Sequence, residues 1–272
     1  MPSVPPFPGL RGFRSELRDI PDPGYGAGYG YDVEAGPFHL LKSEVLEPHD
    51  PETTWMLNYL EDRFFLESLH PPGQSMVPLD ELSTDWFNQG GFAKLQPYYL
   101  HCQDAYLRRD EIPQFLRAFY NTLATSSDAH TLTFRESMDE GQPHKTHEEG
   151  WFFLQLRSML TMEKGNSLYL AWGTPRAWLE HGKRIAVNRA ATYFGELSYS
   201  VESSSDQARI EATVKPPRRN PPGDLYLRLR HPKQSLIKRV TVGGRVWTDF
   251  DRDRECIKLP TETSELKVIA YY

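Results

Sequence analysis

The apolar positions of this chain change their period near residue 165. Upstream they recur at helical spacing, and downstream they alternate. From Thr53 and Thr54, which can cap a helix, Trp55, Leu57, Leu60, Phe64 and Phe65 follow at helical spacing. Pro71 and Pro72 end that run, so the helix fades by Leu69. Tyr99 to Leu107 predicts a second helix, with Pro97 in its first turn or at a kink. The clearest helix covers 111–126: Ile112, Phe115, Leu116, Phe119, Tyr120 and Leu123 form one apolar stripe. Residues 128–145 are polar, contain Gly141 and Pro143, and read as a loop carrying the run TLTFRES. A last helix over 147–162 holds Trp151, Phe152, Phe153, Leu154, Leu156, Met159 and Leu160. It is apolar almost all round, which predicts burial on every side.

After Gly165 the pattern predicts strands at Leu168–Trp172, Arg184–Arg189, Glu196–Glu202, Arg209–Lys215, Asp224–Arg230, Ile237–Val242, Arg245–Thr248, Cys256–Leu259 and Glu265–Tyr271. Alternation is cleanest in RIEATV and LYLRLR, and Gly243-Gly244 between two runs signals a hairpin. Short strands at near-regular spacing predict an antiparallel β-sandwich. Residues 1–50 are punctuated by Pro and Gly and read as an irregular arm, including the tyrosine-glycine stretch GYGAGYGYD. The expected organisation is an arm over 1–50, a helical domain over 51–165 and a β-sandwich over 166–272. The fold class is α+β, multi-domain.

Composition changes this picture little: 39% hydrophobic and 25% charged residues are ordinary for a globular chain. No 18-residue apolar run is present, so no membrane span is expected. MPSVPPFPGLRGF lacks the apolar core of a signal peptide. Cys102 and Cys256, on a predicted helix and a predicted strand, read as buried free thiols, which fits a cytoplasmic protein. Charge is more informative. Residues 1–165 hold 13 Lys+Arg against 25 Asp+Glu, and residues 166–272 hold 18 against 12. The acidic front argues against a nucleic-acid groove and suits carboxylates acting on a neutral or cationic substrate. A solvated acidic surface would show the same charge.

Residues 55–190 resemble the last hairpins of six-hairpin (α/α toroid) glycosidases, the α-L-rhamnosidase-like group in particular. Helical hairpins joined by acidic, aromatic loops carry the likeness. So does Thr131-Leu132-Thr133-Phe134-Arg135-Glu136, which resembles that family's Thr-Thr-x-Trp-Glu segment with Phe134 in the place of Trp. An apolar helix with Glu149-Gly150-Trp151 follows, and then a β domain. The run from Leu168 to Ser203 also resembles sandwiches appended to bacterial toroid glycosidases. A full toroid needs about 350 residues by helix rise and loop length. The four helices expected here imply a partial toroid, the C-terminal portion of such an enzyme or a protomer completed by a partner. Open apolar helix faces then predict a homo-oligomer.

The resemblance implies a hydrolase acting on an oligosaccharide or glycoside through two carboxyl groups, one donating a proton and one acting as base or nucleophile. It assigns Glu136 as the base-like carboxylate, against a plain ion pair with Arg135. Glu148 and Glu149 are the further catalytic candidates, although Thr146 to Glu149 also fits a helix capping box. Asp85 beside Trp86 suits a sugar stacked on the ring and held by the carboxylate, or else a helix-start acid beside a core aromatic. Glu61, His147 and Trp151 complete the expected substrate-binding set, although Glu61-Asp62-Arg63 on a helix reads first as an ordinary ion pair. His144 and His147 lack a third placed ligand, so no metal and no cofactor are expected. No Gly-x-Ser-x-Gly, P-loop, paired Cys-x-x-Cys or His-Glu-x-x-His is present. The expected partner is a carbohydrate, with neither nucleic acid nor membrane. The rival expectation is a non-catalytic carbohydrate-binding or scaffold fragment that self-associates.

Overall fold

The computed structural model describes residues 40–41, 43, 45–64, 102–128, 130–134, 144–261 and 265–272. The chain divides into two units, 1–155 and 156–272, and the period of the sequence sets the architecture within each.

In the first unit, α1 (Pro51–Phe64) begins where Asp50 precedes a proline whose missing N–H costs a helix nothing. Thr53 is buried, and its hydroxyl donates to the Glu47 carbonyl at 2.9 Å. Two further helices, α2 (Cys102–Arg108) and α3 (Ile112–Ser126), form a hairpin. Their turn closes as a Schellman motif: Glu111 N–H donates to the Tyr106 carbonyl at 2.9 Å and Asp110 N–H to that of Leu107 at 3.2 Å. Asp110 takes the left-handed conformation this needs, with φ of 67°. The predicted stripe of α3 is buried at Ile112, Phe115 and Phe119. Gln103 of α2 is fully buried, and its amide donates to the Thr122 hydroxyl of α3 at 3.1 Å. Arg109 ties the turn to the start of α1, donating to the Pro48 carbonyl and the Thr54 hydroxyl. A two-rung ladder, β1 (Ser127–Asp128) with β2 (Thr133–Phe134), follows α3.

The last helix, α4 (Thr146–Leu160), spans the boundary between the units. Two expectations for it need correction. It is not buried all round, because Phe153 is 68% exposed. Nor does Thr146 cap it: the Lys145 carbonyl accepts from Glu149 N–H, so Thr146 already lies in the first turn. The helix also ends two residues early, and Thr161 passes directly into a strand. An apolar run continuous with a helix hides such a boundary from periodicity alone.

The second unit is a two-layer β-sandwich. One sheet of five strands contains β3 (Thr161–Lys164), β4 (Ser167–Leu170), β8 (Asp224–Arg228), β11 (Phe250–Asp251) and β12 (Cys256–Leu259), in the order β11-β12-β8-β4-β3. The other, of six, contains β5 (Arg184–Thr192), β6 (Gly195–Ser204), β7 (Arg209–Lys215), β9 (Arg239–Val242), β10 (Arg245–Trp247) and β13 (Leu266–Tyr271), in the order β10-β9-β13-β7-β6-β5. All ladders are antiparallel except β4 with β8. That exception departs from the antiparallel expectation and has a simple cause. The chain leaves β4, builds β5 to β7 in the opposite sheet, and returns as a crossover.

Alternation places the core. In β7, Ile210, Ala212 and Val214 point inward, and in β13 Leu266, Val268 and Ala270 do the same. They meet Leu168, Leu170, Leu225, Leu227, Ile257 and Leu259 from the other sheet. Gly243 and Gly244 both adopt positive φ between β9 and β10, the two-residue turn that matches strand twist. Cys256 is a buried thiol outside any disulfide, and the Cys102 side chain lies outside the described residues. No helix among the described residues is long and apolar enough to cross a membrane.

Candidate active site

The first turn of α4 gathers the described part of the predicted site. Its position is fixed by a column of rings. Phe134 of β2 packs on Phe152 of α4 with centroids 4.6 Å apart, and Phe152 stacks on Phe119 of α3 at 4.8 Å. Phe119 continues to Phe115 at 6.0 Å. Ring pairs at these separations add to the burial of their area. The Lys145 amide donates to the Phe134 carbonyl at 3.1 Å, which joins the end of β2 to the residue before α4.

Glu148 lies one helical turn before Phe152 and on the same face. It is 2% exposed. Gln155, a further turn along and 7% exposed, continues the stripe to Met159. This stripe thus mixes a carboxyl and an amide with apolar side chains. His147 is exposed, and its Nδ1 stands 3.7 Å from Oε2 of Glu148. Glu149 is half-buried, and its Oε1 is shielded from water with no hydrogen-bond partner among the described residues. Trp151 is half-buried three residues after Glu148. Adjacent residues on a helix point about 100° apart, so Glu148 and Glu149 do not face a common point. One turn of helix therefore offers one interior carboxyl, and a second must come from another segment. Both acids also sit where the helix dipole favours negative charge, which is a stabilising role independent of chemistry.

Glu136, Asp85 and Trp86 lie outside the described residues, and Glu61 falls on α1 with only its backbone described. The described residues thus bring together His147, Glu148, Glu149 and Trp151. Among them, no cluster of three or more His, Cys, Asp or Glu could hold a metal.

The sandwich carries a second feature that periodicity did not reveal. A cleft of about 540 Å³ opens between the β5–β6 hairpin and the proline-rich loop after β7. It is lined by Glu196, Ser198, Lys215, Arg218 and Arg219. The signal for it was present in PPRRNPPGD, where two arginines stand between proline pairs.

No family model matches the chain, and no curated protein matches it. A solved structure titled "Glycoside hydrolase" superposes with a TM-score of 0.41 and 9% identity, covering 89% of this chain and 46% of that one. This chain therefore spans under half of that neighbour's length, in a loose overlap from which no family membership follows.

Proposed function

We propose that this protein is a glycosidase-like carbohydrate-processing protein in which Glu148 is one of the two working carboxyls. The observation that carries this reading is the withdrawal of Glu148 from water at the head of an aromatic-packed helix. A carboxyl withdrawn from water within a packed environment is a candidate for chemistry. Its neighbour Trp151 offers a ring face for a pyranose.

In this reading one carboxyl protonates the leaving oxygen as the glycosidic bond breaks. The other activates water or attacks the anomeric carbon. Glu136, two residues after Phe134, is the proposed partner, and Asp85, Trp86, Glu61 and His147 are the proposed substrate contacts. Glu149, directed away from Glu148, serves the helix terminus. A second reading, a non-catalytic glycan-binding fragment that self-associates, is favoured by the single interior carboxyl in this turn of α4.

The test is release of aryl alcohol from a panel of aryl glycosides by wild type, Glu136→Gln, Glu148→Gln and Glu149→Gln. Glu136→Gln and Glu148→Gln should each lower kcat by about 100- to 10,000-fold. Glu149→Gln should change it by less than about threefold, since it removes a dipole contact only. Folded wild type that releases nothing from any substrate leaves the binding-fragment reading standing in place of the catalytic one.

A further inference from the structure

The cleft of the sandwich has a net positive lining on an unusually constrained frame. Three cations line it, Lys215, Arg218 and Arg219, against one carboxylate, Glu196. Glu196 pairs with Arg189 at 3.1 Å and Lys215 with Glu265 at 3.2 Å. Arg218 and Arg219 form no ion pair among the described residues. Two guanidiniums thus line the concavity with no salt-bridge partner among the described residues.

Three features hold them in place. Pro216 and Pro217 are buried, so the backbone before the arginines is fixed in φ and shielded from solvent. Asn220 N–H donates to the Phe194 carbonyl at 3.0 Å, which clamps the far side of the loop to the tip of the β5–β6 hairpin. Gly195 opposite takes φ of +117°, and a Cβ there would stand 3.2 Å from the Arg219 Cβ. That contact is tight, and the φ itself favours glycine.

The neighbouring strand is irregular. The β5–β6 ladder slips between Val187 and Ala190, and Arg189 in the bulge adopts φ of 54°. The bulge turns Arg189 toward Glu196, and its N–H donates to the Ser198 hydroxyl oxygen at 2.9 Å. At the hairpin tip, two residues from Gly195, Tyr193 is 83% exposed.

We infer that this cleft binds an acidic saccharide, with Arg218 and Arg219 on the carboxylate of a uronate residue and Tyr193 against a sugar ring. Planar guanidiniums match a carboxylate in paired hydrogen bonds. An exposed tyrosine supplies an amphipathic platform for a pyranose. The choice of a saccharide as carrier of the anion rests on the carbohydrate reading above. The preference for an anion stands on the cleft alone.

The experiment is calorimetric titration of the full chain with a galacturonate trisaccharide, a neutral galactose trisaccharide and inorganic sulfate, at low and high salt. A DNA oligonucleotide serves as competitor. The uronate should bind best, weaken as salt rises, and lose about tenfold or more in affinity in the Arg218→Gln/Arg219→Gln double variant. Tyr193→Ala should weaken the uronate and leave sulfate unchanged. Unaltered uronate binding by the double variant overturns the proposal. So does sulfate or DNA binding as tightly as the trisaccharide, or a neutral sugar binding equally well. Because binding is read without hydrolysis, inactivity toward aryl glycosides leaves this result intact.

Discussion

Single side chains decide how this fold answers to pH, and the two buried phenols show why. Tyr199 donates from its hydroxyl to the Leu160 carbonyl at 2.7 Å, and Tyr272 donates to that of Leu229 at 2.7 Å. Burial disfavours phenolate at both, pushing each well above its ordinary value of 10.0. The unfolded chain ionises near that ordinary value while the folded chain keeps its protons. Stability from these groups is therefore fully present below about pH 10 and is lost as pH rises further, by up to about 1.4 kcal/mol per pH unit per phenol. At neutral pH, Tyr272→Phe should cost about 1 kcal/mol, the net worth of a buried hydrogen bond. Above pH 10 the variant should fall off less steeply than wild type. Urea unfolding of both proteins from pH 8 to 11 checks this, and a gap that stays constant with pH refutes the linkage. The same residue-scale logic bears on Glu148. Its burial was not legible in the sequence, because a glutamate in a first helical turn looks the same whether it faces water or Phe152's packed side. The ring column that decides the matter joins residues of α3, β2 and α4, and no local pattern records it.

Where elements meet, one carboxylate does the joining. Glu255, 4% exposed, receives both Arg176 nitrogens at 2.7 and 2.6 Å and has Arg230 Nε at 3.7 Å. It links the 3-10 turn Arg176–Leu179, the segment after β8 and the turn before β12. Glu255→Gln keeps the shape but removes the charge that offsets two arginines, which should cost about 3 kcal/mol. A fall of that size in the urea midpoint stability is expected, whereas a loss below about 1 kcal/mol would mark the network as a screened surface pair. Elements themselves were legible in proportion to their length and alternation. The bounds of β7 and β12 agree with the pattern, and α3 differs from its prediction by one residue. By contrast β3 and β11 were missed: the first continues an apolar helix without a turn signal, and the second has two residues. Their strand character comes from neighbours, β4 and β12, that complete the ladder. The cleft was hidden for the same reason, since a bulge in β5, a glycine in β6 and a loop after β7 are brought together by sheet pairing alone.

On the scale of the whole molecule, the two units differ in charge as well as in period, and the sandwich is closed by its own residues. Both inner faces are covered within residues 156–272 by the core cluster that runs from Leu168 to Tyr272. Its buried hydroxyls of Tyr199 and Tyr272, and the arginines around Glu255, find their partners inside the same range. The N-terminal edge is fastened too. Arg157, at the end of α4, clasps Glu163 of β3 at 2.8 and 2.7 Å and donates to the Ala191 carbonyl of β5 at 2.8 Å. A segment that covers its own apolar faces and pairs its buried phenols internally meets the physical definition of an autonomous folding unit. Residues 156–272 expressed alone should therefore unfold in one cooperative urea transition and show the near-ultraviolet dichroism of packed tyrosines. Removing Arg157 by starting at residue 161 should lower that stability, because Glu163 would be left without its clasp. A shallow transition with no tertiary dichroism would instead mean that the sandwich depends on the first unit. In that case a glycan cleft on it would have to be read as part of one larger machine.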